Sequence, residues 1–379
     1  MRAIWDELMQ FPMTALAEEY ESLREPIDAA ILRVLASGRY VLEEELAEFE
    51  NEFARYIGTR FAIGVGSGSS ALTIALKAAG VGPGDEVITA PNTDNPTAAA
   101  IEHVGSSVVF VDTEPDTFNI DPEQVERKIT SCTRVLLPIH LFGNPADMDA
   151  ISDIAGRNNL MVIEDSALAA GALHRGQKTG TFGLIGCFSL APSKILGAYG
   201  DAGMVVTDDE QIADRVRVLR NYGYAPGIDL DPANLLGGTT WEVRDHGYNS
   251  RLDAIQAAVR VKLKSLEARI GSRRKAAAIY DRLLEPLGVS TPMARPGMEP
   301  VYYAYNVMAE DRDLVRTALA DDRISTRLYY NPPLHLQPAF AHLGHGPGSF
   351  PVLPIFPQIT EQQQSWVASS LERAVGYRV

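Results

Sequence analysis

The sequence has little cysteine and no long run of apolar residues. Cys132 and Cys187 are the two cysteines among 379 residues, which excludes a disulfide framework, and neither lies in a spacing typical of metal ligands. No uninterrupted apolar run approaches the length of a membrane span, and the acidic N-terminus lacks the apolar core of a signal peptide. We therefore expect a protein of the reducing cytoplasm, without a metal, that neither enters a membrane nor is exported.

Basic residues are also scarce relative to acidic ones. The chain has 34 Lys and Arg residues against 49 Asp and Glu residues, a formal net charge of −15 at pH 7. This balance argues against nucleic acid or an anionic membrane as the main partner, because both bind cationic surfaces. An anionic small-molecule substrate would need a local cationic pocket. The hydrophobic fraction of 46% predicts a soluble globular protein with a large core, divided into two or three domains.

Short Val- and Ile-rich runs alternate with helical patterns in the first half of the chain. Amphipathic periodicity predicts helices over residues 15–36 and 42–56, and strands, turns and helices then follow one another over residues 61–190. This alternation predicts a parallel or mixed sheet covered by helices on both faces. The expected fold class for this part is α/β.

A change of pattern near Tyr248 predicts a domain boundary. A long helical pattern occupies residues 253–284, and a new strand-rich segment begins near residue 299. We predict an N-terminal segment with a large α/β domain over residues 1–247. The long helix then bridges to a smaller unit, and the two together make a second domain over residues 248–379.

Lys194 lies in a small, apolar, glycine-rich setting between Cys187 and Gly203. Low polarity disfavours the ammonium form of a lysine, so we expect its pKa to fall and its neutral amine to attack a carbonyl carbon and form a Schiff base. A buried lysine that only pairs with a carboxylate is the structural alternative. The six other lysines are interpreted as ordinary solvated residues: Lys77, Lys128, Lys178, Lys262, Lys264 and Lys275.

A glycine-rich turn follows the first predicted strand and opens a helix. The run from Gly64 to Ser70 presents backbone amides and the hydroxyls of Ser69 and Ser70 at a positive helix end, where a phosphate can bind. A serine that only caps the helix would explain the same residues. Ser69 occupies the place of the third glycine of a dinucleotide fingerprint, which disfavours a nicotinamide dehydrogenase.

Two further polar clusters lie next to predicted elements. A buried-strand pattern ends in Glu164 and Asp165, and ligands bind at the strand ends of α/β sheets, although a structural salt bridge is the alternative for Glu164. A carboxylate that faces the nitrogen of a pyridine cofactor would keep that nitrogen protonated. Asn249 or Arg251, before the long helix, could meet an anion, although Asn249 or Ser250 acting only as a helix N-cap needs no further explanation.

These motifs occur in the same order and spacing in a known family. The matching stretches are residues 49–54, 68–72, 111–121, 138–143, 147–149, 164–165, 188–203, 247–258 and 333–335. Over nearly its whole length the chain resembles the DegT/DnrJ/EryC1/StrS sugar aminotransferases, which are pyridoxal-phosphate enzymes. The resemblance implies the aspartate aminotransferase fold, PLP fold type I, with a large mixed or parallel sheet domain covered by helices and a smaller C-terminal α+β domain.

The resemblance also implies roles for residues around the cofactor ring. Lys194 resembles the lysine that forms the Schiff base with pyridoxal 5'-phosphate and carries the proton as pyridoxamine 5'-phosphate forms during turnover. Asp165 resembles the partner of the pyridinium nitrogen. Ala167, two residues further along, would present a small face beneath the ring.

A second group of residues resembles the family's phosphate site. Ser69, Ser189 and the amides near Gly68 are similar to phosphate ligands, with Ser70 beside them. Asn249 would reach the phosphate of the neighbouring subunit's cofactor. The resemblance therefore implies a homodimer whose active sites lie at the interface.

Two positions depart from the family pattern. Asp94 stands where relatives have an aromatic residue that stacks on the pyridine ring, and Leu168 stands where they have a glutamine able to bond the phenolic oxygen. Each loss is worth about 1 kcal/mol, so we expect weaker cofactor binding without its failure.

The expected function is transfer of an amino group from glutamate or glutamine to a nucleotide-linked keto-deoxysugar in amino-sugar biosynthesis. The retained Lys194 favours transamination, because related dehydratases carry histidine there. A keto-cyclitol aminotransferase is one alternative, and a cofactor-binding but catalytically silent partner subunit is another. In the smaller unit, a sugar or nucleotide pocket could be lined by Tyr302, Tyr303, Tyr329, Tyr330 and His335, although clustered aromatic residues are more often part of a core. Of these, Tyr329 and His335 are candidate substrate residues, together with Arg251.

Overall fold

Strands and helices alternate along the first part of the chain, as the sequence predicts. The computed structural model describes residues 11–225, 242–291, 293–309, 311–343, 350–353 and 359–376. The strands are β1 (Phe61–Val65), β2 (Glu86–Thr89), β3 (Ser107–Phe110), β4 (Thr133–Leu136), β5 (Met161–Asp165), β6 (Leu173–His174), β7 (Gln177–Lys178), β8 (Ile185–Ser189), β9 (Gly203–Thr207), β10 (Met298–Glu299), β11 (Tyr305–Asn306), β12 (Arg327–Tyr329) and β13 (Phe350–Leu353). The helices are α1 (Leu16–Ser37), α2 (Glu44–Ile57), α3 (Gly68–Ala78), α4 (Asn95–His103), α5 (Pro122–Lys128), α6 (Met148–Asn158), α7 (Glu210–Arg220), α8 (Ala254–Ala257), α9 (Arg260–Leu263), α10 (Leu266–Leu284), α11 (Arg312–Asp321) and α12 (Glu361–Gly376).

Seven strands form one mixed sheet in the order β1-β9-β8-β5-β4-β2-β3. The five strands from β8 to β3 in this order are parallel, whereas β9 is antiparallel to both of its neighbours. The central strands are buried along almost their whole length, as expected when helices cover both faces. The predicted α/β domain with a mixed sheet is therefore confirmed, although β9 was not predicted.

Apolar side chains fill the space on each face of this sheet. One cluster joins α3, α4 and α6 to the strands and includes Leu72, Ile101 and Ile151. The other joins α2 and α10 to the sheet through Phe49, Phe53 and Leu266, and it includes Phe188. The rings of Phe53 and Phe188 meet edge to face with centroids 5.2 Å apart. Two packed layers of helices thus hold the strand ends in fixed positions.

The predicted continuous helix over residues 253–284 is wrong, because the structure divides it into α8, α9 and α10. At the interruptions, backbone amides donate hydrogen bonds to the carbonyl oxygen three residues earlier. Lys262 N donates to Val259 O at 2.8 Å, and Ser265 N donates to Lys262 O at 3.1 Å. These tight turns direct the Lys262 side chain into the protein, where it meets Glu19 of α1 at 3.0 Å. The sequence pattern resembles one regular helix, whereas the folded chain divides it into three helices and buries Lys262 in an ion pair.

The C-terminal part forms its own small antiparallel sheet, in the order β11-β13-β12. Its core contains Tyr280 and Leu284 of α10 and Leu319 of α11. Phe11 packs into the same core and pairs with Ile324, so a residue near the start of the chain contacts this C-terminal part. The domain division at residue 247 stays a prediction.

No helix in these described ranges is both long and apolar enough to cross a membrane.

Candidate active site

The strand ends bring most predicted site residues to one edge of the large sheet. β5 ends at Asp165 and β8 at Ser189, and β9 begins on the same edge at Gly203, which pairs with both Ser189 and Val65. A cavity of about 310 Å³, here named the central cavity, lies between this edge and residues of the C-terminal part. Its lining brings together these predicted residues: Gly68, Ser69, Asp94, Asp165, Ala167, Leu168, Ser189, Lys194 and Tyr329.

Lys194 lies half-buried in the loop between β8 and β9. Its backbone amide donates to the carbonyl oxygen of Ala191 at 2.9 Å, which closes a turn and fixes where the side chain starts. Its Nζ lies 4.9 Å from the ring centroid of Tyr303, and an aromatic face attracts an ammonium group. The amine is therefore directed into the central cavity.

A second lysine, Lys262, is also shielded from solvent, so the interpretation of Lys262 as a solvated residue is wrong. The Lys262 side chain is buried, and its Nζ donates to the carbonyl oxygen of Gly197 at 2.7 Å. Burial lowers the pKa of Lys262, and the Glu19 carboxylate opposes this effect. Because Lys262 is paired and does not line the central cavity, it has the structural role that was the alternative for Lys194.

Asp165 forms the floor of the central cavity and is almost fully buried. Its Oδ2 accepts a hydrogen bond from Thr97 Oγ1 at 2.8 Å, and its Oδ1 accepts one from the Ala167 amide at 3.1 Å. Burial raises the pKa of Asp165 because it disfavours the charged form, while these two hydrogen bonds and the nearby Lys194 work in the opposite direction. A cationic N–H in the cavity would complete the surroundings of this carboxylate.

Glu164 faces away from Asp165, as the alternation of side chains along a strand requires. Its two oxygens accept hydrogen bonds from the backbone amides of Gly180, Phe182 and Gly183, each at 2.7 Å. His140 Nε2 lies 2.9 Å from Glu164 Oε2, and His140 Nδ1 accepts from the Ala146 amide, so the proton is assigned to Nε2. Glu164 thus has the structural role that the sequence left open.

The glycine-rich turn places the start of α3 against β8 and β9. Ser67 caps the helix by accepting from the Ser70 amide at 3.1 Å, which leaves Ser69 exposed on the central cavity. A Cβ on Gly68 would lie 2.5 Å from Ser189 Cβ, and one on Gly203 would lie 2.2 Å from Ser67 O. Only glycine permits this close packing, which brings the helix end and Ser189 to the same wall of the cavity.

These residues fit a pyridine ring that carries a phosphate. The helix end with the Ser69 and Ser189 hydroxyls offers donors for a phosphate. Asp165 offers a buried acceptor whose two protein partners, Thr97 and Ala167, are both neutral. Lys194 supplies an amine in the same cavity. Phosphate donors, a ring-nitrogen acceptor and an amine are the groups that pyridoxal phosphate requires.

The two departures from the family pattern both line the central cavity. Asp94 is the N-cap of α4, where its Oδ1 accepts from the Asn95 amide at 2.9 Å, so its carboxylate is held by the helix end. Leu168 is buried and offers no hydrogen bond. Ala167 lies beside it with a small side chain. The aromatic residues of the cavity come instead from the C-terminal part of the chain, at Tyr303, Tyr329 and Tyr330.

Tyr303 connects Lys194 with the aromatic wall. Burial alone would raise the pKa of its phenol, but the charge of Lys194 and the hydroxyls of Ser193 and Tyr329 together lower it below its usual value. Arg327 adds to this effect. The pKa of the Tyr303 phenol beside the Lys194 amine is thus lowered by the groups of the cavity itself.

Four predicted residues do not reach the central cavity within one chain. The Ser70 hydroxyl pairs with the helix-capping Ser67, since the two Oγ atoms lie 3.0 Å apart. Asn249 is exposed, and Arg251 extends over the ring of Tyr222, with Cζ 4.9 Å from its centroid. His335 is buried against Phe110, with ring centroids 6.5 Å apart.

Several lining residues were not named as site residues from the sequence. Thr97 had a local signal, since it follows a strand end and lies in the first turn of a helix. Ser67 and Ser193 are sequence neighbours of predicted residues. Arg327 had no local signal, because the packing of β12 against the strand ends places it there. Tyr330 belongs to the aromatic cluster that the sequence offered as a pocket lining, and it does line the central cavity.

Comparison with known proteins decides the family. The model of the DegT/DnrJ/EryC1/StrS aminotransferase family matches residues 21–372. The chain belongs to this family. Its members use pyridoxal phosphate, so the predicted cofactor and aminotransferase activity are confirmed.

Individual relatives match almost the full length. The chain is 42% identical to the "Pleiotropic regulatory protein" of Geobacillus stearothermophilus, over 96% of this chain and 98% of that one. It is 42% identical to the dTDP-3-amino-3,4,6-trideoxy-alpha-D-glucose transaminase of Streptomyces venezuelae, over 91% and 88%. The crystal structure of S. venezuelae DesV in complex with a ketimine intermediate matches with a TM-score of 0.90 and 40% identity, over 97% and 99%. The prediction of PLP fold type I is confirmed.

Proposed function

We propose that this aminotransferase transfers an amino group from glutamate or glutamine to a nucleotide-linked keto-deoxysugar in amino-sugar biosynthesis. The observation that carries the proposal is the convergence of Lys194 and Asp165 in one cavity, with the hydroxyls of Ser69 and Ser189 at its wall. The match to the S. venezuelae sugar-nucleotide transaminase over most of both chains supports the substrate class.

The residues of the central cavity divide the work of transamination. Bound there, pyridoxal phosphate supplies an electron sink for the electrons left behind when a proton leaves the carbon that bears the amino group. Lys194 Nζ takes that proton and returns it to a neighbouring position, as a general base and then a general acid. Asp165 holds a proton on the ring nitrogen, and Ser69 and Ser189 fix the phosphate, so the reacting carbon stays within reach of Lys194.

The active form in this proposal is a homodimer in the cytoplasm. Asn249 is exposed in the single chain, as a residue that serves the partner's cofactor should be. Tyr222 and Val243 expose 39% and 59% of their surfaces nearby, which suits a surface covered by a second copy. Analytical ultracentrifugation tests the assembly, and a monomer at the concentrations used for activity assays would refute it.

The test of activity follows the two halves of the reaction separately. Enzyme loaded with pyridoxal phosphate is mixed with glutamate or glutamine, and the absorbance should change to that of the pyridoxamine form. This form is then mixed with keto-sugar nucleotides or keto-cyclitols, and the sugar nucleotides should restore the original absorbance. A chromophore that no amino donor converts would indicate a silent subunit, and conversion by keto-cyclitols alone would contradict the substrate class.

A further inference from the structure

A second cavity of about 560 Å³ adjoins the central cavity. We name it the side cavity. It lies between the start of α4 and the chain that follows β12. The two cavities share a wall made of Thr93, Asp94, Arg327, Tyr329 and Tyr330. A molecule longer than the central cavity could therefore extend past these shared residues into the side cavity.

Arg327 is the cation at this junction. Among the described residues that line the two cavities, Lys194 is the one other cation. The ion pairs of the described residues give Arg327 no carboxylate partner, and its guanidinium instead lies 5.1 Å from the ring centroid of Tyr329. The neighbouring Asp94 carboxylate is held by the positive end of α4. Arg327 is thus available to an anion.

The overall charge of the protein makes such a residue necessary for an anionic substrate. The formal net charge is −15, so the bulk of the surface repels anions. Lys194 is committed to the reacting carbon. A guanidinium presents parallel N–H groups that match phosphate oxygens, which gives both affinity and orientation.

Arg327 is connected to Lys194 through two tyrosine side chains. Tyr303 lies against Lys194 Nζ, the Tyr303 and Tyr329 hydroxyls interact, and Arg327 lies over Tyr329. Two aromatic rings therefore separate the amine from the guanidinium. A sugar ring whose carbonyl carbon faces Lys194 would place its anomeric substituent near Arg327.

The lining of the side cavity suits a nucleoside. Tyr329, Tyr330 and Phe340 line it with aromatic rings against which a base can pack. Asn331 and Gln337 offer amides for the edge of a base, and the Gln337 side chain is oriented by its Nε2, which donates to Pro332 O at 2.8 Å.

We propose that Arg327 binds the diphosphate of the nucleotide-linked sugar, with the sugar in the central cavity and the nucleoside in the side cavity. This proposal rests on the proposed function, since it assigns places to the parts of that substrate.

The test compares Arg327→Gln and Arg327→Lys with Arg316→Gln. The control removes an equal charge from an exposed position on α11 that lines neither cavity. Calorimetry measures binding of thymidine diphosphate, uridine diphosphate and inorganic pyrophosphate to the cofactor-loaded enzymes. We expect Arg327→Gln to weaken binding of whichever nucleotide the wild type binds, and of pyrophosphate, by about 10- to 100-fold, with Arg327→Lys intermediate and the control unchanged.

A second variant tests the side cavity without removing the charge. Ala339 lies exposed on its lining, so Ala339→Trp should fill the space without disturbing the core. It should abolish nucleotide binding while pyrophosphate still binds. Nucleotide binding equal to that of the wild type in this variant would overturn the assignment of the nucleoside.

Kinetics separate this proposal from the proposed function. Arg327→Gln should raise the KM for the sugar nucleotide far more than the KM for the amino donor. If the wild type turns over a sugar nucleotide and Arg327→Gln leaves its KM unchanged, or raises only the KM of the donor, the Arg327 proposal is wrong and the function stands. If the wild type neither binds the nucleotides nor aminates a sugar nucleotide, both fail.

Discussion

Thr97 Oγ1 donates a 2.8 Å hydrogen bond to Asp165 Oδ2 in the floor of the central cavity. Together with the Ala167 amide on Oδ1, it orients a carboxylate that is otherwise cut off from solvent. Because Asp165 also lines the central cavity, its carboxylate can accept a proton donor brought by a ligand. The ionised form of Asp165 should therefore destabilise the cofactor-free protein and be required in the cofactor-loaded enzyme.

The first prediction concerns Asp165→Asn in the cofactor-free protein. Burial raises the pKa of Asp165, so the folded protein keeps the proton on this carboxyl to a higher pH than the unfolded chain does. In the unfolded chain the group titrates at about pH 3.9. The contribution of Asp165 to the free energy of unfolding should therefore fall as the pH rises from that value to the raised pKa. The free energy of unfolding of the variant relative to wild type, measured in urea, should increase over this window and then level off.

In the cofactor-loaded protein, by contrast, the ionised form of Asp165 should be favoured over the protonated form. There the ionised Asp165 holds the protonated ring nitrogen, so Asp165→Asn should lose most of its rate with a modest loss of cofactor. Asp201→Asn is the matched control, because Asp201 is an exposed carboxylate on the same cavity and its removal should change stability little. A relative stability of Asp165→Asn that does not vary with pH would contradict the account of this residue.

Glu164→Gln should destabilise the fold by at least about 2 kcal/mol. The two buried oxygens of Glu164 accept hydrogen bonds from three backbone amides, and the variant replaces one of these oxygens with an NH2 group, which cannot accept. Urea unfolding measures the loss. Glu126→Gln, which removes an exposed partner of Arg157, should cost less than about 1 kcal/mol. Equal stabilities of the two variants would show that the Glu164 network does not hold this part of the fold.

Gly68→Ala should weaken binding of pyridoxal phosphate about tenfold or more, because its Cβ would force Ser189 away from the start of α3. Gly66→Ala is the control on the same turn, since its Cβ would come no closer than 3.4 Å to Ser250 Oγ. Titration of the cofactor-free proteins with pyridoxal phosphate gives both dissociation constants. The phosphate site is misplaced if the two variants bind alike.

Sequence reasoning located the strand-end part of the site because its residues are close to predicted strands. Ligands bind where parallel strands end, so the acids at the end of β5 and the turn at Gly68 could be predicted as site residues without coordinates. The family resemblance added Ser189. The sequence also predicted that one of two adjacent acids faces inward. The strand pattern alone could not decide which acid faces inward, because the partners of Glu164 come from the loop after β7 and from His140. The family resemblance pointed to Asp165.

The remaining residues depend on contacts between distant parts of the chain. Arg327 enters the central cavity through the packing of the C-terminal part on the sheet edge, which no local pattern encodes. Tyr303 belonged to a tyrosine cluster that the sequence could assign to a pocket or to a core, and the same packing places it beside Lys194. Lys262 has polar neighbours in sequence, yet Glu19 of α1 holds it inside the protein. Local patterns predicted elements and strand ends, whereas these long-range contacts became visible only in the folded chain.

The covalent position of the cofactor is the most direct test of the central claim. Enzyme loaded with pyridoxal phosphate is reduced with borohydride, digested and mapped by mass spectrometry, with Lys194→Ala as the control. The account predicts a pyridoxyl label on the peptide that contains Lys194 and none in the variant. A label on another lysine, or an unlabelled Lys194 peptide from fully loaded enzyme, would contradict it.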